Sequence, residues 1–194
     1  MTAELPISRV TNVTRALQSA AVAKASVFTG TQQPQDWGGR WWSYEIEFAV
    51  LQDADGRRLS AFFAALGGSA GTFTFRDPFI QNPASIGVPL VNGAGQTGNS
   101  LVTDGWGARG LSAGDFFSLG AGTALRLYQL TADAVPVSGA ATLQFVPALR
   151  ASPSDNAALN VVNPGVLLRA SGPIPAQIGL ANLYRFSLQA REAI

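Results

Sequence analysis

The sequence predicts a mainly β protein: a discontinuous antiparallel β-sandwich core with one short flanking helix and an inserted small β-barrel-like domain. Three observations lead to this fold class. Residues 40–50 and 183–191 each alternate apolar and polar side chains with the period of two that a half-buried strand shows. One segment, residues 57–66, has a helical period. Between residues 83 and 153, short apolar runs alternate with glycine-rich turn sequences, as in small antiparallel barrels.

The first core strand is predicted over residues 40–50, where aromatic and β-branched residues share one face. That face, which we expect to be buried, consists of Trp42, Tyr44, Ile46, Phe48 and Val50. The opposite face, which includes Glu45 and Glu47, is expected to meet water or a partner. Before this strand, residues 25–30 are interpreted as a shorter strand and residues 32–39 as a loop.

A short helix is predicted over residues 57–66, followed by a second aromatic strand. Asp53 or Asp55 is expected to cap the start of the helix, and Gly67-Gly68 to end it. The apolar stripe of the helix consists of Leu59, Phe62, Phe63 and Leu66. In residues 71–79, Phe73 and Phe75 are expected to face inward and Pro78 to end the strand.

The middle of the chain is predicted to be an inserted domain, residues 85–153, within a core formed by residues 1–84 and 154–194. Its candidate strands are residues 100–106, 115–119, 124–131 and 141–146. Turn sequences such as Asn92-Gly93 and Ser138-Gly139 separate them. The spacing of these strands suggests a small antiparallel barrel or sandwich.

The C-terminal strands, residues 166–171 and 183–191, are expected to rejoin the sheet that the N-terminal segments begin. The second strand repeats the pattern of residues 40–50, with arginines where that strand has glutamates. Cross-strand pairing of Glu45 and Glu47 with Arg185 and Arg191 is therefore predicted, at about 0.2–1 kcal/mol per pair.

Composition argues against several classes of function. The chain has neither cysteine nor histidine, which removes thiolate nucleophiles, disulfides, Cys/His zinc sites and the Ser-His-Asp triad. Its net charge is +1 with no basic run beyond Arg57-Arg58, so no nucleic-acid sequence recognition is predicted. We predict a non-enzymatic protein without cofactor or metal. Only 13% of the residues are charged, which leaves weakly polar surface available for interfaces.

No targeting or membrane segment is predicted. The first residues lack the basic start and the apolar run of a signal peptide. No apolar run reaches the roughly 20 residues that a membrane helix requires. We therefore expect synthesis in a cytoplasm, from which an assembly can carry the protein elsewhere.

Two motifs with a possible chemical function are better interpreted as structural. Arg76-Asp77 before Pro78 and Phe79 is typical of a turn in which aspartate caps, proline fixes the backbone and phenylalanine anchors the turn. The Gly-x-Gly-x-x-Gly string of residues 93–98 would need a following helix to bind a dinucleotide, and a β-type segment follows instead.

Trp41 is the aromatic residue with two open interpretations. It points away from the expected core face that Trp42 occupies. It can therefore serve as an interface or sugar contact, or pack in a second buried layer. The candidate interface residues are Trp41, Glu45, Glu47, Arg185 and Arg191.

The order of these elements resembles a known family. The strand of residues 40–50, the Leu-x-x-Phe-Phe helix and Gly-Thr-Phe-Thr-Phe-Arg-Asp-Pro-Phe (residues 71–79) are similar to the N-terminal domain of tail-tip proteins of siphophages and gene transfer agents. Residues 113–119, 125–133 and 139–150 resemble segments common in phage tail proteins. The resemblance covers roughly two-thirds of the chain. It is greatest to the distal tail protein.

This resemblance implies a structural subunit whose copies form a ring, in that family a hexamer, between the tail tube protein and the hub or fibre proteins. The implied location is the virion tail tip, after synthesis in the host cytoplasm. A carbohydrate-binding module that contacts the host surface is the alternative function. It would require an exposed aromatic platform with neighbouring polar side chains.

Overall fold

The chain folds into two antiparallel β-sheets with a single α-helix among the residues described. The computed structural model describes residues 3–6, 9–82 and 86–194. In chain order the elements are β1 (Ala3–Glu4), β2 (Val10–Ala25), β3 (Gln32–Phe48), β4 (Leu51–Gln52), α1 (Asp53–Ala65), β5 (Phe73–Arg76), β6 (Gly87–Val91), β7 (Ser100–Trp106), β8 (Phe116–Leu119), β9 (Arg126–Leu130), β10 (Ala141–Val146), β11 (Leu159–Asn160), β12 (Gly165–Ala170), β13 (Ala176–Gly179) and β14 (Leu183–Glu192). The predicted fold class is confirmed.

The larger sheet joins strands from the two ends of the chain. Its strand order is β1-β5-β12-β14-β3-β2, and all neighbours are antiparallel except β1 and β5. Strands β4 and β13 flank the first residues of β14. The C-terminal strands therefore lie at the centre of the sheet that the N-terminal strands begin, which makes this sheet discontinuous in sequence.

The smaller sheet is nearly closed into a barrel. Its order is β11-β8-β9-β10-β7-β6. Its two ends meet where Val91 exchanges backbone hydrogen bonds of 2.9 Å with residues 156 and 157. Closure buries the sheet edges that would otherwise invite pairing with other chains. Inside, the rings of Phe117, Tyr128 and Phe145 lie 5.1–5.3 Å apart.

The predicted domain boundaries stay a prediction. The boundary between residues 84 and 85 lies outside the described residues. At the other boundary, β11 lies beyond residue 154, where the core was expected to resume, and yet it pairs with β8 of the smaller sheet. The strand pairing therefore places residues 159–160 with the smaller sheet.

Two different elements cover the inner face of the larger sheet. At one end α1 covers it, with the ring of Phe63 5.6 Å from Phe186 and 6.2 Å from Phe48. At the other end the smaller sheet covers it through Phe116 and Leu127, which belong to the same apolar cluster. Two residues of the smaller sheet thus belong to the core of the larger sheet, while the interior of the smaller sheet forms an apolar cluster of its own.

Trp42 lies where the two sheets meet. It is 3% exposed, and its ring lies 5.6 Å from that of Phe116. Its indole Nε1 donates a hydrogen bond of 3.0 Å to the backbone oxygen of Leu127. One side chain of β3 is therefore both packed against and hydrogen-bonded to the smaller sheet.

The helix begins earlier than its apolar pattern indicates. Gln52 is the N-cap residue and makes no capping bond with its side chain. The prediction that Asp53 or Asp55 caps the helix is wrong. Both lie in the first turn, where they pair with Arg57 and Arg58. Carboxylates in a first turn also interact favourably with the helix dipole. As predicted, Gly67 follows the helix, with a φ of +65°.

The segment before Arg40 was predicted wrongly. Residues 32–39 are the first half of β3 rather than a loop, and residues 26–30 are a turn rather than part of a strand. The pattern failed because residues 21–38 are exposed on both faces, so no apolar alternation marks them. Val50, expected in the core, lies beyond the end of β3 and is 41% exposed.

Removal of the Trp42 ring should destabilise the fold strongly. We expect Trp42→Ala to lower the free energy of unfolding by about 3–5 kcal/mol, because it leaves a cavity between the sheets. Trp42→Phe should cost less, since it mainly removes the hydrogen bond to Leu127. Urea unfolding followed by circular dichroism measures both. Trp37→Ala, at a 63% exposed position, is the control; wild-type stability in Trp42→Ala would contradict the assigned core.

Candidate interaction surface

The most exposed feature of the chain is a two-stranded ribbon, residues 21–38, which we call the arm. It continues β2 and β3 beyond the larger sheet, with Ala21 opposite Asp36 and Ala25 opposite Gln32. Every residue of the arm is exposed. At its tip, Ser26 closes the turn through backbone hydrogen bonds of 2.9 Å with Gly30 and Thr31. Beyond its base the arm is therefore held by strand pairing alone, as a continuation of the β2–β3 ladder of the larger sheet.

The arm presents apolar side chains to solvent. Phe28 is 94% exposed and Val27 91% exposed at the tip, and Trp37 and Val22 lie along the ribbon. Lys24 and Asp36 are the arm's charged residues, and they cancel. Four exposed large apolar side chains on one eighteen-residue ribbon indicate an interaction site.

The outer face of the larger sheet carries the predicted interface charges. Glu45, Glu47, Arg185 and Arg191 are all exposed. The structure confirms that β3 and β14 are neighbours, but Ser187 lies opposite Glu47 and Gln189 opposite Glu45. The predicted cross-strand ion pairs are therefore wrong, because the register offsets the opposite charges.

None of these four side chains forms an ion pair with the described part of its own subunit. Arg191 lies opposite Ser43, and Arg185 lies opposite Gln177 of β13. Glu47 accepts a long hydrogen bond of 3.5 Å from Asn12. Their charges are thus available for contacts with another chain.

Trp41 lies at the base of the arm and is partly exposed. It precedes Trp42 on β3, so it points to the opposite face of the sheet. Its backbone is paired with Gln18 of β2. This position combines a large apolar ring with access to solvent, next to the exposed charges of β3.

A partly buried arginine fastens β2 to the rest of the subunit. The Nη1 atom of Arg15 lies 2.7 Å from a carboxylate oxygen of Asp77, and its guanidinium lies 4.4 Å from the centre of the Phe116 ring. The other oxygen of Asp77 accepts a 2.9 Å bond from the Phe79 nitrogen. Burial raises the pKa of Asp77, while this backbone bond and Arg15 oppose the rise. Sequence reasoning missed Arg15, because β2 lacks a clear alternating pattern.

The turn interpretation of Arg76-Asp77 agrees with this geometry in one respect and fails in another. Asp77 caps the turn as expected. Phe79 was expected to anchor it, but 53% of Phe79 is exposed. The residues that hold the turn are instead Arg15 and Arg76, the second of which pairs with Glu4 at 3.0 Å.

A second buried charge lies where β3 leaves the core. Glu192, 1% exposed, accepts hydrogen bonds from the Trp42 backbone nitrogen at 3.2 Å and from Arg150 at 3.5 Å. Arg150 also donates to the backbone oxygen of Arg40, at the base of the arm. Burial raises the pKa of Glu192, although the Trp42 bond and Arg150 lower it. Glu192 and Arg150 thus fix the backbone from which the arm projects.

The Gly-x-Gly-x-x-Gly string is a loop between β6 and β7. The element that follows it is the strand β7 and not the helix that phosphate binding requires. The Gln96 side chain holds the loop together by donating to the backbone oxygens of Asn92, Gly93 and Val102 and by accepting a bond from the Val102 nitrogen. The loop is therefore structural.

A scan against models of protein families finds no match to the chain, and a search of curated proteins finds none. Within residues 3–6, 9–82 and 86–194, no helix has the length and apolar character to cross a membrane.

The stability that Glu192 contributes should depend on pH. Since its pKa is raised in the folded chain, this contribution is fully present below the unfolded value of about 4.3 and is lost as the pH rises through the folded pKa. We expect the free energy of unfolding of wild type, relative to Glu192→Gln, to be larger at pH 4 than at pH 8. Urea titrations at both pH values measure this difference.

Glu45→Gln, which removes one carboxylate from an exposed position of the same sheet, controls for the change in net charge. Asp77 is present in every variant, so its own titration cancels from the comparison. A difference that grows toward pH 8 would mean that pairing with Arg150, rather than burial, dominates at Glu192.

Proposed function

We propose that this protein is a structural subunit of a phage tail tip, a distal tail protein whose copies form a ring. The observation that carries this proposal is the arm, a paired ribbon that presents its apolar side chains to solvent rather than to its own subunit. In this role the protein is not an enzyme. It works by shape and by contacts that persist after assembly.

The arm supports assembly for an energetic reason. Exposed Val, Phe and Trp side chains are unfavourable in water, and their burial stabilises a complex by about 25 cal/mol per Å² of apolar surface. A two-stranded ribbon is also only marginally stable by itself. A partner that covers the arm removes both disadvantages, which favours a protein that functions in an assembly.

The outer face of the larger sheet supports the same role. It presents Glu45 and Glu47 on one strand and Arg185 and Arg191 on the next, without ion pairs among the described residues. Opposite charges that remain separate within one subunit suit contacts between subunits, where they set register more than affinity.

The proposed partners are other copies of the chain, the tail tube protein on one side and hub or fibre proteins on the other. This follows the resemblance to distal tail proteins. The ring would lie at the virion tail tip after synthesis of the chain in the host cytoplasm. A repeated head-to-tail contact that closes gives cyclic symmetry, and the resemblance implies six copies.

The carbohydrate-binding alternative finds less support. In the described part of the smaller sheet the aromatic residues are buried: Trp106, Phe116, Phe117, Tyr128 and Phe145. Sugar recognition would require some of these rings on the surface. The exposed aromatic rings lie elsewhere: Phe28 and Trp37 on the arm, and Phe79 in the turn after β5.

Native mass spectrometry with negative-stain imaging tests the proposed function. We expect a closed ring, either from the purified chain or after addition of tail tube protein. A chain that stays monomeric in both conditions and binds a glycan array would contradict the proposal and favour the binding module.

Trp41 provides a variant test of the same proposal. Trp41→Ala should leave the monomer folded, since the ring is partly exposed, and should shift the mass distribution toward monomer. Trp42→Ala is the comparison, because it should lower the stability of the fold itself rather than remove a contact between subunits. An unchanged ring in Trp41→Ala would remove Trp41 from the interface.

A further inference from the structure

The arm and a second apolar surface lie at opposite ends of the larger sheet. β3 pairs with β14 from Glu47 to Ser43, and beyond Arg40 it continues as the arm for about 25 Å. At the other end, the first residues of β14 pair with β13 and β4. Contacts between these two ends therefore require two copies of the chain.

The second surface is a groove between α1 and β13. It has a volume of about 230 Å³, and its lining residues are Ser60, Phe63, Ala64, Gly68, Ile174, Ala176 and Phe186. None of these residues is charged. Ile178 lies two residues after Ala176, hence on the same face of β13, and is 61% exposed. Leu180, 94% exposed, extends the apolar surface past the end of the strand.

We propose that the arm of one copy places Val27 and Phe28 against the α1–β13 groove and Ile178 of a second copy. This inference rests on the proposed ring and specifies its contact. The arm is a projecting apolar ribbon with cancelling charges, and the groove is an uncharged apolar recess. The arm projects and the groove is recessed, so their shapes are complementary. Both surfaces are present on every copy.

The size of the arm is adequate for a specific contact. A standard interface takes about 20–30 residues from each partner, and the eighteen residues of the arm approach this number. The position of the two surfaces gives a head-to-tail contact, which repeats from copy to copy and closes into a ring if the rotation permits.

The chemistry of the arm disfavours other occupants. A nucleic acid or an anionic membrane surface would attract a cationic ribbon, whereas Lys24 is the arm's one basic residue and Asp36 offsets it. An apolar tip can also insert into lipid, and the experiment includes that outcome.

Cysteine cross-linking tests the contact directly, because the natural chain has no cysteine. Phe28→Cys and Ile178→Cys chains carrying tags of different mass are mixed and treated with a short bis-maleimide. We expect a cross-linked pair that contains one copy of each. The control mixture combines Phe28→Cys with Val88→Cys, whose 71% exposed side chain lies on the smaller sheet, and should yield no specific pair.

A second variant measures the contribution of the tip. Phe28→Asp should shift native mass spectra from assembled species to monomer, while Val88→Asp should leave them as in wild type. Both positions are exposed, so both variants should fold. Equal cross-linking in the two mixtures, or assembly that Phe28→Asp leaves intact, would overturn the proposed contact.

The outcomes separate this inference from the proposed function. A ring without the Phe28–Ile178 cross-link would overturn the contact and leave the ring subunit standing. Cross-linked open chains that never close would support the contact and contradict the ring. Absence of the cross-link together with binding to phosphatidylcholine vesicles, lost in Phe28→Asp, would overturn the contact and assign the tip to lipid.

Discussion

The contact of Trp42 with the smaller sheet is the interaction on which the rest of the structure depends. The larger sheet needs a cover for the half of its inner face that α1 does not reach, and Phe116 and Leu127 provide it. The hydrogen bond from Trp42 to Leu127 makes this packing directional. Because the two sheets share this core, the position of the smaller sheet is fixed relative to β3, and so is the base of the arm.

Buried charges have a related role around the same strand. Arg15 holds β2 to Asp77 and Phe116, and Glu192 with Arg150 holds the backbone at Trp42 and Arg40. Buried ion pairs add little net stability compared with apolar packing, and their geometry specifies position instead. A subunit with a projecting ribbon requires that the base of the ribbon be fixed, because a small rotation at the base displaces the tip.

Strands with at least one buried face could be predicted from the sequence, and the ribbon exposed on both faces could not. The faces of residues 42–48 and 184–190 follow from alternation, because one side of each strand meets the core and the other meets solvent. The arm has no buried face, so its residues 21–38 show no pattern. Register also depends on the whole sheet, which is why Glu45 and Glu47 do not face the arginines of β14.

The continuity of the arm with the larger sheet explains how it can be ordered before any partner covers it. Its strands continue β2 and β3, and β3 is fixed in the core by the buried side chains of Trp42, Tyr44, Ile46 and Phe48, so the ribbon extends a sheet that already exists. Starting from a formed sheet removes the cost of nucleating an isolated hairpin. An element that is ordered in advance loses less conformational entropy when it binds. The core of this protein thereby lowers the entropic cost of an interface that lies outside the core.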